Sequence, residues 1–281
     1  MIISSIKDGF GNQLFMFACG YAAARKQGGG LVLDATNLAT SNLRNYELGG
    51  LNLRYDHLLN IPKKWPWVVK IIIRKFLRIV LTIIAKLFTE KTTCEFDPSV
   101  LNLKGSYRLL GYWQSEKYFK EYRSELLPMF TPKYFTTKSF NDVLEKVQRT
   151  ESVSVHVRRG DFIALGWCLG KHYYMNAIKT ILGKVSQPTF YVFSDDIEYA
   201  KEMFEGFDVK MEFVSYESIN STIEDFLLMK SCKHNIIANS SYSWWGAWAN
   251  DNPDKIVVCP PRESRDFFYP ADWIVAKLNL S

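Results

Sequence analysis

From about residue 150 the chain alternates short apolar runs with helix-patterned segments, and that alternation leaves few folds open to it. Ser152-Val153-Ser154-Val155-His156-Val157 repeats with a period of two, and further strand-like runs follow at 189–193, 210–214, 235–238 and 255–259. Helical segments separate them at about 173–182, 197–204, 223–231 and 242–249. Strands joined through helices pair in parallel, so this half predicts an α/β unit with a parallel sheet. The N-terminus repeats the theme. Residues 1–6 read as a strand, Asp8-Gly9-Phe10-Gly11-Asn12-Gln13 as a loop, and residues 14–26 as a helix ended by Gly28-Gly29-Gly30. Residues 31–33 form the next strand, closed by Asp34. Two such units predict a cleft, with one domain over residues 1–149 and a second over 150–281.

Composition agrees with two packed domains. The 281 residues are 47% hydrophobic and 15% aromatic, which is enough for full cores and excludes disorder. A net charge of +6 suits an anionic ligand, and the absence of a long Lys/Arg tract argues against nucleic acid. The five cysteines are widely spaced without Cys-x-x-Cys, and the four histidines lack metal-ligand spacing. Neither a disulfide framework nor a zinc site is expected, and a reducing compartment fits. The opening apolar run is too short for a signal peptide, so a cytoplasmic location is expected.

The segment 65–88 stands apart. Lys70, Arg74, Arg78, Thr82 and Lys86 recur every four residues on an otherwise apolar stretch, which predicts a helix with a basic side. The charges interrupt the apolar runs and exclude a membrane span. Two readings stay open: a domain helix with its basic side in solvent, or a helix on an anionic membrane surface, where Trp65 and Trp67 would suit the interface.

Parallel sheets bind ligands beyond the carboxyl ends of their strands. At those positions stand Arg158-Arg159-Gly160-Asp161, Ser194-Asp195-Asp196, Asn239-Ser240-Ser241 and, in the N-terminal unit, Gly9-Phe10-Gly11-Asn12-Gln13. Arg158 and Arg159 offer planar charged forks for phosphate oxygens. Asn239-Ser240-Ser241 opens a helix whose N–H groups favour an anion, although simple capping would use the same serines. Asp195 and Asp196 could accept from a base or ribose, and one of them is expected to cap the next helix. Asp-x-Asp is absent, so no metal is expected to neutralise a diphosphate. His156 reads as structural by itself, but it stands two residues before Arg158. The glycines near the N-terminus lack the third glycine of a dinucleotide fingerprint, where Leu14 stands. They would bring the backbone close to a ligand, with Asn12 and Gln13 presenting amides to sugar hydroxyls.

These residues resemble glycosyltransferase family 11, the α-1,2-fucosyltransferases, over nearly the whole chain. Asp8-Gly9-Phe10-Gly11-Asn12-Gln13-Leu14-Phe15 is similar to the family's N-terminal signature. His156-Val157-Arg158-Arg159-Gly160-Asp161-Phe162 is similar to its His-x-Arg-Arg-x-Asp-Tyr motif, with Phe162 in place of Tyr. Phe193-Ser194-Asp195-Asp196 and the run from Asn239 to Trp248 match two more. The resemblance implies a GT-B architecture, two facing Rossmann-like α/β domains with parallel sheets, the donor being held by the C-terminal one. It implies GDP-β-L-fucose as donor, a galactose-terminated oligosaccharide or lipid-linked glycan as acceptor, inversion at the anomeric carbon, and no metal or cofactor. Carried over, Arg158 binds the β-phosphate, His156 and Asp196 the guanine end, and Ser240 and Ser241 phosphate. Arg159, Asp195 and Asn239 complete the donor site, and Gly11, Asn12 and Gln13 lie near the fucose or acceptor. Asp161 is the nearest candidate base, or else it orients an arginine. The rival readings are a transferase of another nucleotide-sugar and a non-catalytic carbohydrate-binding protein. Seat on the inner face of the membrane is the expectation if 65–88 binds lipid.

Overall fold

The structure, a computed structural model, describes residues 1–91, 95–261 and 268–277; Cys94 lies outside them. The chain divides into two compact units, Met1–Thr131 and Pro132–Ser281. The first contains β1 (Ile2–Ser5), α1 (Phe10–Lys26), β2 (Leu31–Asp34), β3 (His57–Leu59), α2 (Trp67–Ile84), β4 (Lys86–Thr89), β5 (Tyr107–Leu110) and the short α3 (Arg123–Leu126). Its strands lie in the order β3-β2-β1-β5-β4, every neighbouring pair parallel. The sharp entry from β1 to α1 is made at Asp8, whose φ of 61° is left-handed. Phe10 to Gln13 form the first turn of α1 and not a loop, because Gln13 N–H already bonds Gly9 O at 3.0 Å.

The segment 65–88 is helical only over α2. Ala85 is extended at its end, and Lys86 to Thr89 leave the helix to pair with β5. Ladder hydrogen bonds outweigh the four-residue spacing there. The helix docks through Leu81 and Ala85 onto Ile3, Val32 and Leu59, and Leu81 is its one buried residue. Lys70 and Arg74 are not presented to solvent as a free basic stripe. Arg74 donates to Thr40 Oγ1, and Lys70 Nζ donates to the carbonyl of Lys63 at 3.2 Å.

The second unit contains α4 (Lys138–Arg149), β6 (Ser152–Val157), α5 (Gly160–Leu165), α6 (Lys171–Leu182), β7 (Thr189–Ser194), α7 (Ile197–Phe204), β8 (Met211–Phe213), α8 (Ser221–Ser231), β9 (His234–Ile236), α9 (Ser241–Ala249), β10 (Val257–Cys259) and β11 (Ile274–Val275). The strand order is β11-β10-β9-β6-β7-β8, parallel throughout. Counted from β6 as the first strand, this is the 3-2-1-4-5-6 order of a Rossmann fold. All six residues of β6 are buried, as a central parallel strand covered on both faces requires. The sequence boundary at 149/150 separates α4 from the unit it packs into. Phe140 of α4 meets Tyr216 edge-on at 5.8 Å, and Thr137 Oγ1 donates to Glu217 O. The division at Thr131 keeps that helix with the sheet it covers.

Buried polar groups lock both sheets. In the second unit Asn235 donates to Ser154 Oγ and to Met229 O, and Asn250 donates to Asn235 Oδ1 at 2.8 Å. In the first, fully buried Asp34 pairs with Arg108 Nη2 at 2.8 Å and accepts from Thr36. Removing the arginine would strand a buried carboxylate, a change worth about 3–5 kcal/mol. Arg108→Ala is therefore expected to lower the urea midpoint strongly, whereas Arg25→Ala, at an exposed pair with Glu125, should shift it little.

Candidate functional site: the edge where the second sheet reverses

Strand register determines which residues meet. β6 and β7 pair through Val157 and Ser194, so the next step along both strands sets Arg158 beside Asp195. β6 and β9 pair through Val155 and Ile236, which brings Arg158 level with Asn239. The strands on either side of the β6–β9 junction run to opposite ends of the sheet in chain order. This is the topological switch point, where open α/β sheets leave a crevice. The three polar clusters anticipated at strand ends thus share one edge.

Arg158 is gripped on both sides. Its Nη1 lies 2.8 Å from Asp195 Oδ2, and its Nη2 donates to Asp161 Oδ1 at 2.6 Å. The other Asp195 oxygen accepts from Arg159 N–H at 2.8 Å, so Asp195 ties backbone and guanidinium together. Gly160 lies at the centre of this knot with φ of 22°, and a Cβ there would stand 2.6 Å from Asp195 Oδ2. Arg159 turns aside. Its guanidinium stacks on Tyr199 at 3.6 Å and its Nε reaches Asp196 Oδ2 at 3.5 Å. Asp196 caps α7 by accepting from Tyr199 N–H, the role expected of one aspartate of the pair. The two guanidinia face three carboxylates, so this cluster carries no surplus of positive charge. Asp161 lies on the short and exposed α5.

His156 and Asn239 complete the edge. His156 is buried, its carbonyl accepts from the Tyr174 hydroxyl at 3.0 Å, and its ring lies 5.5 Å from that of Tyr242. Burial, and then the nearby Arg158 charge, lower its pKa to about 3. The imidazole is therefore neutral across the physiological range. His156 Nδ1 and Asn239 Oδ1 are buried without a hydrogen-bond partner, while Asn239 Nδ2 donates to Trp167 O. Unsatisfied buried polar atoms are rare, and two at one strand edge mark a place where a ligand would bond. Ser240 is the N-cap of α9 and accepts from Tyr242 N–H at 3.3 Å; Ser241 is the helix's first residue. Behind that N-terminus Trp244, Trp245 and Trp248 are buried, with Trp244 and Trp248 stacked at 6.1 Å. The tryptophans of the motif anchor the helix and leave its N-terminus at the edge.

Gly11, Asn12 and Gln13 belong to the first unit. Gly11 is buried in α1. Gln13 does not present its amide to a sugar. It is fully buried, its Nε2 donates to Asp8 O and Asn45 O, and its Oε1 accepts from Glu47 N–H. The side chain is a brace for the turn. Asn12 is half-buried and accepts from Gln114 Nε2 at 2.7 Å. Gln114 follows β5, which neighbours β1, so it stands at the switch point of the first sheet. Glu90 holds that turn by accepting from Tyr112 and Trp113 N–H, and the Tyr112 hydroxyl donates to Asp8 at 2.6 Å. Nothing in the local sequence marks Gln114, Tyr112 or Tyr199, because their partners are 102, 104 and 40 residues away or reached only through helix geometry. Trp167 is also unforeseen; it is 56% exposed and meets Phe162 edge-on at 5.7 Å beside Arg158.

Among the described residues, no three His, Cys, Asp or Glu side chains come together so as to hold a metal ion.

Two outcomes test this geometry. Gly160→Ala should displace Asp195 and cost at least tenfold in turnover while thermal unfolding shifts little, because the strain is confined to one loop. The second concerns acid. An unfolded histidine takes up its proton near pH 6.5, whereas folded His156 does so only near 3. Its contribution to stability is therefore complete above pH 6.5 and lost as pH falls towards 3. His156→Gln should flatten the urea-midpoint profile over that window.

Residues 94–274 match the model of glycosyl transferase family 11. An α-1,2-colitosyltransferase of Escherichia coli is 32% identical over 96% of both chains. The O-antigen biosynthesis glycosyltransferase WbnK of Escherichia coli is 32% identical over 92% of this chain and 93% of its own. A galactoside α-(1,2)-fucosyltransferase 2 of Bos taurus is 26% identical over 52% of this chain and 46% of its own. With its two Rossmann-like parallel units and the arginine-centred edge between β6 and β9, the chain belongs to glycosyltransferase family 11.

Proposed function

We propose that the protein transfers L-fucose from GDP-β-L-fucose to the 2-hydroxyl of a galactoside, with inversion and without a metal. The observation that carries this reading is Arg158, fixed by Asp161 and Asp195 at the switch point beside two unpartnered buried polar atoms. As the fucosyl–oxygen bond breaks, the anomeric carbon gains oxocarbenium character and the leaving GDP gains negative charge. Arg158 and the N-terminus of α9 at Ser240 stabilise that charge in this reading. The galactose 2-hydroxyl attacks the anomeric carbon from the opposite face as the bond to the β-phosphate oxygen breaks, GDP leaves, and the hydroxyl proton passes to solvent water. His156, neutral and partly orphaned, and Asn239 supply hydrogen bonds to the nucleotide. Asp161, engaged by Arg158, acts as a positioning residue in this reading. Trp167 offers an aromatic face to a sugar at the mouth of the site. Acceptors are galactose-terminated oligosaccharides or lipid-linked glycans, and the enzyme works in the cytoplasm at the inner face of the membrane.

A second donor is favoured by one observation. The relative named for colitose transfer aligns along nearly the whole chain, whereas the fucosyltransferase of Bos taurus aligns along half. Transfer assays with GDP-fucose and GDP-colitose on β-galactosides, with the product linkage assigned, decide between them. Fucose in α-1,2 linkage, made equally well in chelator, is the expected result. Transfer of colitose alone, or activity lost to chelator and restored by Mg²⁺ or Mn²⁺, contradicts it. Arg158→Ala should lose roughly 10²–10³-fold in turnover, about 3–4 kcal/mol in the transition state. Arg158→Lys should recover little, since a point charge does not reproduce the planar fork. Asp161→Asn should lower GDP affinity and turnover together; loss of turnover at unchanged affinity would make Asp161 the base.

A further inference from the structure

The outward face of α2 is apolar along its whole length. Val68, Ile72, Phe76, Ile79 and Ile83 follow one another by four, four, three and four residues, which aligns them in one row. Each is at least 60% exposed, and Ile83 reaches 79%. Trp67 at the start of the helix and Leu87 just past its end lengthen the row, at 55% and 60%. Single exposed apolar residues are ordinary, but a continuous row on one helix is the mark of a surface that another phase or molecule covers. The opposite side is already occupied by the docking of Leu81 and Ala85.

The charge around this row selects what covers it. Between Asp56 and Glu90 the chain has no acidic residue, while Lys63, Lys64, Lys70, Arg74, Lys75, Arg78 and Lys86 are all basic. Lys75 and Arg78 are exposed on the flank of the apolar row; Lys64 is exposed beside Trp65 and Trp67 at its head, whereas Lys63 Nζ donates to the carbonyls of Ser41 and Arg44. A second copy of this chain would bring cations against cations. An anionic lipid surface would meet them with opposite charge, take the apolar row below its headgroups and place the tryptophans at the boundary. No helix of the described residues is long and apolar enough to cross a membrane, and α2 is tied side-on to its sheet, so insertion is parallel to the surface.

We infer that α2 is an in-plane membrane anchor that holds the protein on an anionic phospholipid surface through Val68, Ile72, Phe76, Ile79 and Ile83, with Lys75 and Arg78 at the headgroups. The contact differs from a simple basic stripe, since Lys70 and Arg74 are turned onto the protein itself. This inference is independent of the sugar that is transferred.

Co-sedimentation of the full chain with phosphatidylglycerol–phosphatidylcholine vesicles and with pure phosphatidylcholine vesicles tests it. Binding should be at least tenfold tighter on the anionic vesicles and weaken with salt. Phe76→Glu with Ile79→Glu should abolish it, and Lys75→Glu with Arg78→Glu should reduce it by about tenfold. Because all four side chains are exposed, thermal unfolding and transfer to a soluble acceptor should be unchanged by either pair. No binding to anionic vesicles at low salt, or binding indifferent to the apolar pair, overturns the anchor. So does a dimer in sedimentation equilibrium that the apolar pair dissociates, for the face would then belong to a second copy. A chain that binds vesicles but transfers no sugar would refute the proposed reaction and leave the anchor standing.

Discussion

Parallel pairing of β6 with β7 on one side and β9 on the other is the constraint on which the second unit depends. Parallel strands need a crossover between each pair, and the crossovers here are the helices that cover both faces of the sheet. Every strand therefore ends at the same edge, whatever its order in the chain. Residues 158, 195 and 239 are far apart in sequence and yet stand level. The buried chain Ser154–Asn235–Asn250 pins β6, β9 and the end of α9 in that register. A slip by one residue would leave those amides unpaired in the core, so register is protected by the cost of burying a polar group unsatisfied.

The electrostatics of the edge follow from this placement. Arg158 does not wait as a bare cation. Two carboxylates hold it, one fixed by backbone and one on a short exposed helix. Such an arrangement avoids the cost of leaving a charge unpaired and preorganises the fork. Tyr174 serves the same end from beneath by fixing the carbonyl of His156, and burial keeps that imidazole neutral beside the arginine. The tryptophans of α9 supply rigidity to the helix terminus.

Much of the fold was legible in the residues. Period-two runs, helical segments and glycine punctuation place β1, β2, β6, β7 and the helices α6 to α9 within a few residues of where they stand. Strand ends pointed to Arg158, Asp195 and Asn239 because a parallel sheet allows few other places for a ligand. The helix boundary at α2 was not legible. Its four-residue spacing continues through Lys86, but pairing with β5 draws Lys86 to Thr89 into the sheet.

The sequence by itself determined the class of fold, the family and the identity of the residues at the switch point, since periodicity and local motifs are properties of neighbouring residues. Tertiary structure alone decided what each of those residues does. Gln13 became an internal brace because Asn45 and Glu47 come to it, and Asp196 became a cap while Asp195 became the clasp of Arg158. Tyr199, Gln114 and Trp167 gained their places from packing across long chain separations. It also decided which side of α2 meets water. Amphipathic spacing defines an apolar side and a basic side, but only docking through Leu81 and Ala85 settles that the apolar row points away from the sheet.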